Sequence, residues 1–230
     1  MRNQVVIRTL IREMLNEAMK TPADIPVDGR RPLFIVNVDG SSQSSQITIT
    51  LSTRGSTKPG DLGILVAKRD PKKPMGPCSE AWEVSWAKAA PGWGPLMYNV
   101  MLELVGDSGL TPDRSSVSED ALGVWSKFKA GESPGVESEP LDDMYNSRTE
   151  DVEKDNCVHR SSREHFGREP HERDYETKAT LRAARLKWLQ SSPLTRVYKK
   201  KPGSHSWIAD LINIGAYYEN GALVTSQNLG

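Results

Sequence analysis

Four short runs rich in β-branched and aromatic residues constrain the fold more than any other feature of this chain. They occupy residues 33–38, 46–52, 62–68 and 81–87, and clusters of Gly, Ser, Pro and Asp separate them. Apolar and polar side chains often alternate within them, which is typical of strands with one buried face. Because short connections favour antiparallel neighbours, the sequence predicts a four-stranded meander.

A helical stripe follows the fourth run. It consists of apolar residues at three- and four-residue spacing: Leu96, Met97, Val100, Met101, Leu104 and Val105. Pro95 suits the first helical turn, where its missing N–H would be unpaired in any case. Gly106 and Gly109 are the expected terminators of this helix.

A second, shorter helix is predicted to begin near Ser116 or Ser118, where residues 116–119 fit a capping box. Its inward-facing residues would be Ala121, Leu122, Trp125 and Phe128. Residues 130–172 are rich in charged residues, Ser, Gly and Pro, and we expect an irregular insertion there without a core of its own. Beyond it, the sequence predicts a helix over 174–190, a strand over 194–199 and a helix or helical turn over 207–218 that ends at Asn220-Gly221.

An amphipathic helix is predicted at the beginning of the chain, over residues 3–19. Its apolar stripe is Ile7, Leu10, Ile11, Met14, Leu15 and Ala18. Docking on a partner and packing on its own domain are both open interpretations of this stripe. The predicted organisation is a docking helix over 1–20, a core over 31–130, a polar insertion over 131–173, and residues 174–230 that complete or extend the core.

Composition adds few constraints on the partners. The 230 residues include 30 Lys and Arg against 30 Asp and Glu, so net charge gives no argument for nucleic acid or an anionic membrane. The longest apolar runs are far shorter than the roughly 20 residues that span a bilayer, so we expect a soluble protein. Cys78 and Cys157 lie far apart, which favours reduced thiols in a cytoplasmic environment.

The connection between the fourth run and the long helix reads Ala89-Ala90-Pro91-Gly92-Trp93-Gly94. A strand that enters a glycine turn at a helix N-terminus exposes backbone N–H groups at the positive end of the helix dipole, and together they can hold a pyrophosphate. The candidate cofactor-binding residues are therefore Ala90, Gly92, Trp93 and Gly94.

This arrangement resembles the GNAT acyltransferases, whose acetyl-CoA pyrophosphate loop has the pattern Arg/Gln-x-x-Gly-x-Gly/Ala between the fourth strand and the third helix. The resemblance covers about residues 33–128. It implies an α+β fold with a mixed, mainly antiparallel sheet flanked by helices, and acetyl-CoA as the cofactor. The later Asn-x-x-Ala-x-x-x-Tyr helix of the family, whose tyrosine often serves as general acid, corresponds to Ser118-x-x-Ala121-x-x-x-Trp125.

Three positions depart from the family pattern. Ala89 replaces the usual Arg or Gln, Pro95 removes one amide donor, and Trp125 has an indole N–H that is not an acid at any useful pH. Catalysis would therefore need substitutes. The candidates are Glu83 as a general base, if its side chain faces the cleft, and Tyr98 as the nearest tyrosine in sequence.

Residues 109–114 and 118–125 are also similar to GNAT-like proteins of tailed bacteriophages, and the opening helix resembles N-terminal helices of marine-type phage proteins. This resemblance implies a GNAT-fold component of a virion with a degenerate acyltransferase site. Its partners would be other phage structural proteins, contacted through the N-terminal helix and the insertion, in the virion or in the host cytoplasm during assembly. The alternative is an active N-acetyltransferase that acetylates an amine.

Two further clusters are weaker. One holds Cys157 and three histidines, His159, His165 and His171, at a spacing that matches no standard zinc site, so we predict no metal. The other consists of the basic residues Arg182, Arg185, Lys187, Lys199, Lys200 and Lys201. It would suit nucleic-acid binding, but a solvated helix face and a lysine-rich turn are the favoured explanation, so we do not expect a nucleic-acid partner.

Overall fold

The four runs form the middle of a nine-stranded sheet. The structure, a computed structural model, describes residues 19–28, 31–43, 45–69, 81–113, 117–140 and 192–228. A small hairpin of β1 (Val27–Asp28) and β2 (Arg31–Pro32) lies outside the sheet. The runs themselves are β3 (Phe34–Asp39), β4 (Gln46–Thr53), β5 (Gly63–Lys68) and β6 (Trp82–Ala89). Each pairs antiparallel with the next, so the predicted meander is confirmed.

One face of the meander carries the core. Because side chains alternate along a strand, the apolar positions of these four strands share that face. They are Val36, Val38, Ile47, Ile49, Leu51, Leu65, Ala67, Trp82 and Val84, all buried. Helix α1 (Gly94–Val105) covers this face and buries its predicted stripe, except for Leu104, which is half-buried.

Helix α1 ends where predicted, and a short parallel strand follows it. Gly106 caps the helix with a φ of +53°, a single turn of 3-10 helix leads to Gly109, and β7 (Leu110–Thr111) then pairs parallel with β6. Helix α2 (Glu119–Ala130) begins at Ser118, whose hydroxyl accepts a hydrogen bond from the Ala121 N–H. Trp125 and Phe128 are buried as expected, but Leu122 is 37% exposed, so its predicted inward orientation is wrong.

The polar region after residue 130 contains a strand that the sequence does not predict. Strand β8 (Val136–Pro140) pairs antiparallel with β9 (Arg196–Lys200), the strand predicted near 194–199. Strand β8 lies at the edge of the sheet, where Glu137 and Glu139 are exposed. Because such a strand can be rich in polar residues, its composition does not distinguish it from a loop. The rest of the predicted insertion and the helix predicted over 174–190 fall outside the described residues.

The C-terminal helix is shorter than predicted. Helix α3 (Trp207–Asn213) is followed by β10 (Tyr217–Glu219) and β11 (Ala222–Leu223). Asn220 and Gly221 both have positive φ, at 48° and 79°, and join these two strands as a tight hairpin turn. The Asn-Gly pair therefore ends a strand, and its interpretation as a helix terminator is wrong. The sheet order is β11-β10-β3-β4-β5-β6-β7-β9-β8.

Glu103 joins α1 to the C-terminal elements. Its carboxylate accepts hydrogen bonds from Lys200 Nζ at 2.6 Å, from the Trp207 N–H at 2.7 Å and from the Ser206 hydroxyl at 2.8 Å. The carboxylate thus occupies the amino end of α3, where the backbone N–H groups have no partner within the helix. One carboxylate with little exposure therefore connects α1, β9 and α3.

The helix predicted over residues 3–19 and both cysteines lie essentially outside the described residues. Of the predicted opening helix, only its last residue, Met19, is described. None of the helices in the described ranges is long and apolar enough to cross a bilayer.

Candidate functional site

Strands β6 and β7 part soon after they meet. Only two residue pairs join them, Trp82 with Leu110 and Glu83 with Thr111, whereas β6 continues to Ala89. Among the described residues, no strand pairs with the rest of β6 on that side. Beyond Glu83, one edge of β6 is therefore unpaired up to the beginning of α1, and we call the space beside this edge the crevice.

Backbone groups of β6 line this crevice. The Ala90 N–H donates to the Leu62 carbonyl at 2.6 Å, and Ala89 lies opposite Gly63. Because bonded and non-bonded pairs alternate in an antiparallel ladder, Ala87 and Ala89 direct their N–H and C=O groups away from β5. Both residues are exposed, so these groups are available to an extended ligand.

The predicted glycine turn lies where the crevice meets the beginning of α1. Gly92 has a φ of +83°, which favours glycine, and α1 begins at Gly94. The N–H groups of Ala90 and Trp93 are bonded to the carbonyls of Leu62 and Ala90, whereas those of Gly92 and Gly94 have no backbone partner within the described chain. Of the four candidate residues, only the two glycines therefore have an N–H group without a backbone partner in the described ranges, and they lie at the positive end of a twelve-residue helix.

The side chain of Trp93 packs into the core and is not available to a ligand. Its side chain is buried and packs edge-on against Phe34, with 5.4 Å between the ring centroids. Lys20 lies on its other side: its N–H donates to the Gly92 carbonyl at 3.0 Å, and its ammonium nitrogen lies 5.2 Å from the Trp93 ring centroid. The fold thus brings a positive charge to the turn from more than 70 residues away, and no local sequence signal indicates this.

Glu83 lies at the point where the two strands part. It is the last β6 residue paired with β7, and it faces the side of the sheet opposite the buried Trp82 and Val84. Its own side chain is half-buried. A group at this fork could reach a substrate that enters from the face not covered by α1.

Tyr98 belongs to α1 and packs against α2. It is only 3% exposed, and its ring packs edge-on against Trp125 at 5.0 Å and Phe128 at 6.3 Å between centroids. Burial, and to a lesser degree the charge of Asp113, raise the pKa of Tyr98 well above its usual value. Trp125 is thus a direct neighbour of Tyr98.

No described residue of the other two candidate clusters takes part in the contacts given above. The cysteine and histidine cluster falls outside the described residues, within which no group of three or more His, Cys, Asp or Glu is placed to hold a metal. In the lysine run, Lys200 is bonded to buried Glu103 and Lys199 pairs with Glu139 at 3.6 Å. Two of the three lysines are therefore engaged within the fold.

Comparisons of this chain with protein-family models, curated proteins and solved structures found no match. Function is therefore inferred from the crevice, the turn and the side chains around them.

Proposed function

We propose that the protein is GNAT-like and binds acetyl-CoA in the crevice between β6 and β7. One observation carries the proposal: β6 leaves β7 after Glu83 and runs on as an open strand directly into the amino end of α1. Four antiparallel strands before the glycine turn, a long helix after it and a second helix beyond give the element order that the sequence resemblance implies.

The chemistry of the cofactor matches the groups along the crevice. A diphosphate would accept hydrogen bonds from the N–H groups of Gly92 and Gly94 at the positive helix end. The nearby Lys20 ammonium would supply the charge that Ala89 lacks. The amide-bearing arm of the cofactor could then pair with the exposed backbone groups of Ala87 and Ala89, which would direct the thioester towards the fork.

The proposed reaction is acyl transfer to an amine. The amine nitrogen attacks the thioester carbon, a C–N bond forms, the C–S bond breaks, and the electron pair leaves with sulfur as a thiolate. Glu83 would accept the proton that the amine loses, and the thiolate is protonated on release. Holding the two reactants at the fork supplies much of the rate enhancement through proximity.

A virion component that keeps the cofactor-binding fold without catalysis is the second candidate function. The observation that favours it is Trp125, which is 1% exposed at the position of the family's general acid and cannot release a proton. Such a protein would contact other phage structural proteins. Acetyl-CoA binding without acetyl transfer to a panel of amines would support this candidate.

Replacing Gly94 by aspartate is expected to weaken acetyl-CoA binding by at least tenfold. A Cβ at Gly94 would meet the Ala89 Cβ and the Val124 Cγ2 only at 3.9 Å, so the side chain fits. A carboxylate in the first turn favours the helix dipole and repels a diphosphate, so folding is maintained while binding is lost. Isothermal titration calorimetry with acetyl-CoA measures the change.

The matched control is Gly94→Asn, which has nearly the same shape without the charge and should retain most of the affinity. Thermal unfolding of both variants establishes that they fold. If the wild-type protein gives no heat of binding at millimolar acetyl-CoA, or if Gly94→Asp binds as well as wild type, the cofactor proposal is wrong.

A further inference from the structure

Trp86 is the only exposed tryptophan among the described residues, at 49% exposure. Its orientation depends on a β-bulge. Val84 lies opposite Ala67 but Trp86 lies opposite Val66, so Ser85 is an extra residue in β6. Strict alternation would place Trp86 on the same face as the buried Val84. The extra residue instead turns the indole away from the core.

The bulge brings Trp86 to the same face of the sheet as Glu83. Val66 alternates with buried neighbours and therefore lies on the face away from α1, as does Trp86 opposite it. Glu83 lies opposite Lys68, which is exposed on that face. Side chains directly opposite each other on paired strands have Cβ atoms about 5 Å apart. These four residues thus form one patch, which we call the acceptor patch.

The acceptor patch presents three kinds of contact. The Glu83 carboxylate and the Lys68 ammonium group lie on neighbouring strands, and Trp86 and Val66 form an apolar surface next to them. A complementary ligand carries an ammonium, a carboxylate and an apolar group close together. A free α-amino acid with an apolar side chain has this arrangement, because one carbon atom bears all three groups.

We propose that the acceptor of the acetyl group is the α-amino group of a free amino acid with an aromatic or branched apolar side chain. This inference rests on the proposed function and names the substrate class of the same site. Glu83, at the fork, binds the α-ammonium group, and Lys68 binds the α-carboxylate. Trp86 packs against the side chain of the amino acid and determines the specificity. An amine without a carboxylate is disfavoured, because its charge would lie beside that of Lys68.

The transfer step balances with these groups alone. The α-ammonium group gives one proton to Glu83, and its nitrogen then attacks the thioester carbon. The C–N bond forms, the C–S bond breaks, and the electron pair leaves with sulfur. The nitrogen loses a second proton, which neutralises the thiolate. The products are the N-acetyl amino acid and free CoA.

The first arm of the test compares three acceptors with the wild-type protein and acetyl-CoA. They are L-phenylalanine, L-phenylalaninamide, which lacks the carboxylate, and L-alanine, which lacks the large side chain. Release of the CoA thiol measures the rate. We expect kcat/KM for L-phenylalanine to exceed that for each of the other two by about tenfold. Equal values for L-phenylalanine and either of the others would overturn the inference.

The second arm tests the two specificity contacts separately. Trp86→Ala should raise KM for L-phenylalanine by about tenfold and leave KM for L-alanine unchanged. Lys68→Gln should raise KM for L-phenylalanine by about threefold to fivefold and leave that for the amide unchanged. The matched controls are Leu122→Ala on α2 and Lys201→Gln beyond β9, which remove an exposed apolar side chain and an exposed charge elsewhere. Equal effects on both acceptors in either patch variant would overturn the role of that residue.

Calorimetry with acetyl-CoA separates failure of this inference from failure of the proposed function. Trp86→Ala and Lys68→Gln should bind acetyl-CoA with the wild-type dissociation constant, because the acceptor patch lies on the face that receives the amine. If the wild-type protein binds acetyl-CoA but acetylates none of the three acceptors, the acceptor assignment is wrong and the cofactor proposal stands. If the wild-type protein does not bind acetyl-CoA, both are wrong.

Discussion

Replacing Glu103 by alanine is expected to lower the free energy of unfolding by about 3–5 kcal/mol. The Glu103 side chain is 10% exposed and the Lys200 side chain 11% exposed, and 2.6 Å separates Glu103 Oε1 from Lys200 Nζ. Removing the carboxylate would leave a buried lysine without its counter-charge and the amino end of α3 without an acceptor for the N–H groups of Trp207 and Ile208. Urea unfolding of the full chain measures the loss.

Two further variants test whether the loss of unfolding free energy comes from the uncompensated charge of Lys200. Lys199→Ala breaks the more exposed pair with Glu139 and should cost less than about 1 kcal/mol. The double variant Glu103→Ala with Lys200→Met should be more stable than Glu103→Ala alone, since no uncompensated charge remains. A Glu103→Ala loss below about 1 kcal/mol would contradict the proposed role of this ion pair.

Replacing Gly109 by alanine is expected to cost about 3 kcal/mol or more. Its φ of +73° and ψ of 172° lie in a region reached essentially by glycine alone. A Cβ there would also approach Val197 Cγ2 to 2.5 Å and the Tyr198 carbonyl oxygen to 3.0 Å. This glycine brings β7 beside Trp82, so it fixes where the fork between β6 and β7 begins.

Gly106→Ala is the matched control for Gly109→Ala. Gly106 also has a positive φ, at +53°, but a Cβ there would meet nothing within 4 Å. Its replacement should show the backbone strain alone, and Gly109→Ala should exceed it by about 1–3 kcal/mol because of crowding. If denaturant unfolding gives the same loss of unfolding free energy for both variants, β9 does not crowd Gly109 and the prediction is wrong.

The central strands and α1 were predictable because their signals are local. Alternation in residues 46–52 and the stripe from Leu96 to Val105 follow directly from burial on one face. Strand β8 was not predictable from composition, since an edge strand needs few apolar residues and Val136 is its single buried position. Asn220-Gly221 fits a helix end or a hairpin, and only the antiparallel pairing of β10 with β11 decides between them.

The site was predictable only in part, for the same reason. The glycine turn is a local motif, and the structure has it at the amino end of α1. The crevice arises from how few residues β7 pairs with β6, and the contact of Lys20 with Trp93 joins distant parts of the chain. Neither has a sequence signal, because each depends on packing across the sheet.

The most direct test of the proposed site is an NMR titration of the ¹⁵N-labelled full chain with acetyl-CoA. We expect the largest changes in amide chemical shift at Gly92 and Gly94 in the turn and at Ala87 and Ala89 along the open half of β6. An absence of changes at millimolar acetyl-CoA, or changes confined to β8 and β9 at the far edge of the sheet, would contradict a cofactor site in this crevice.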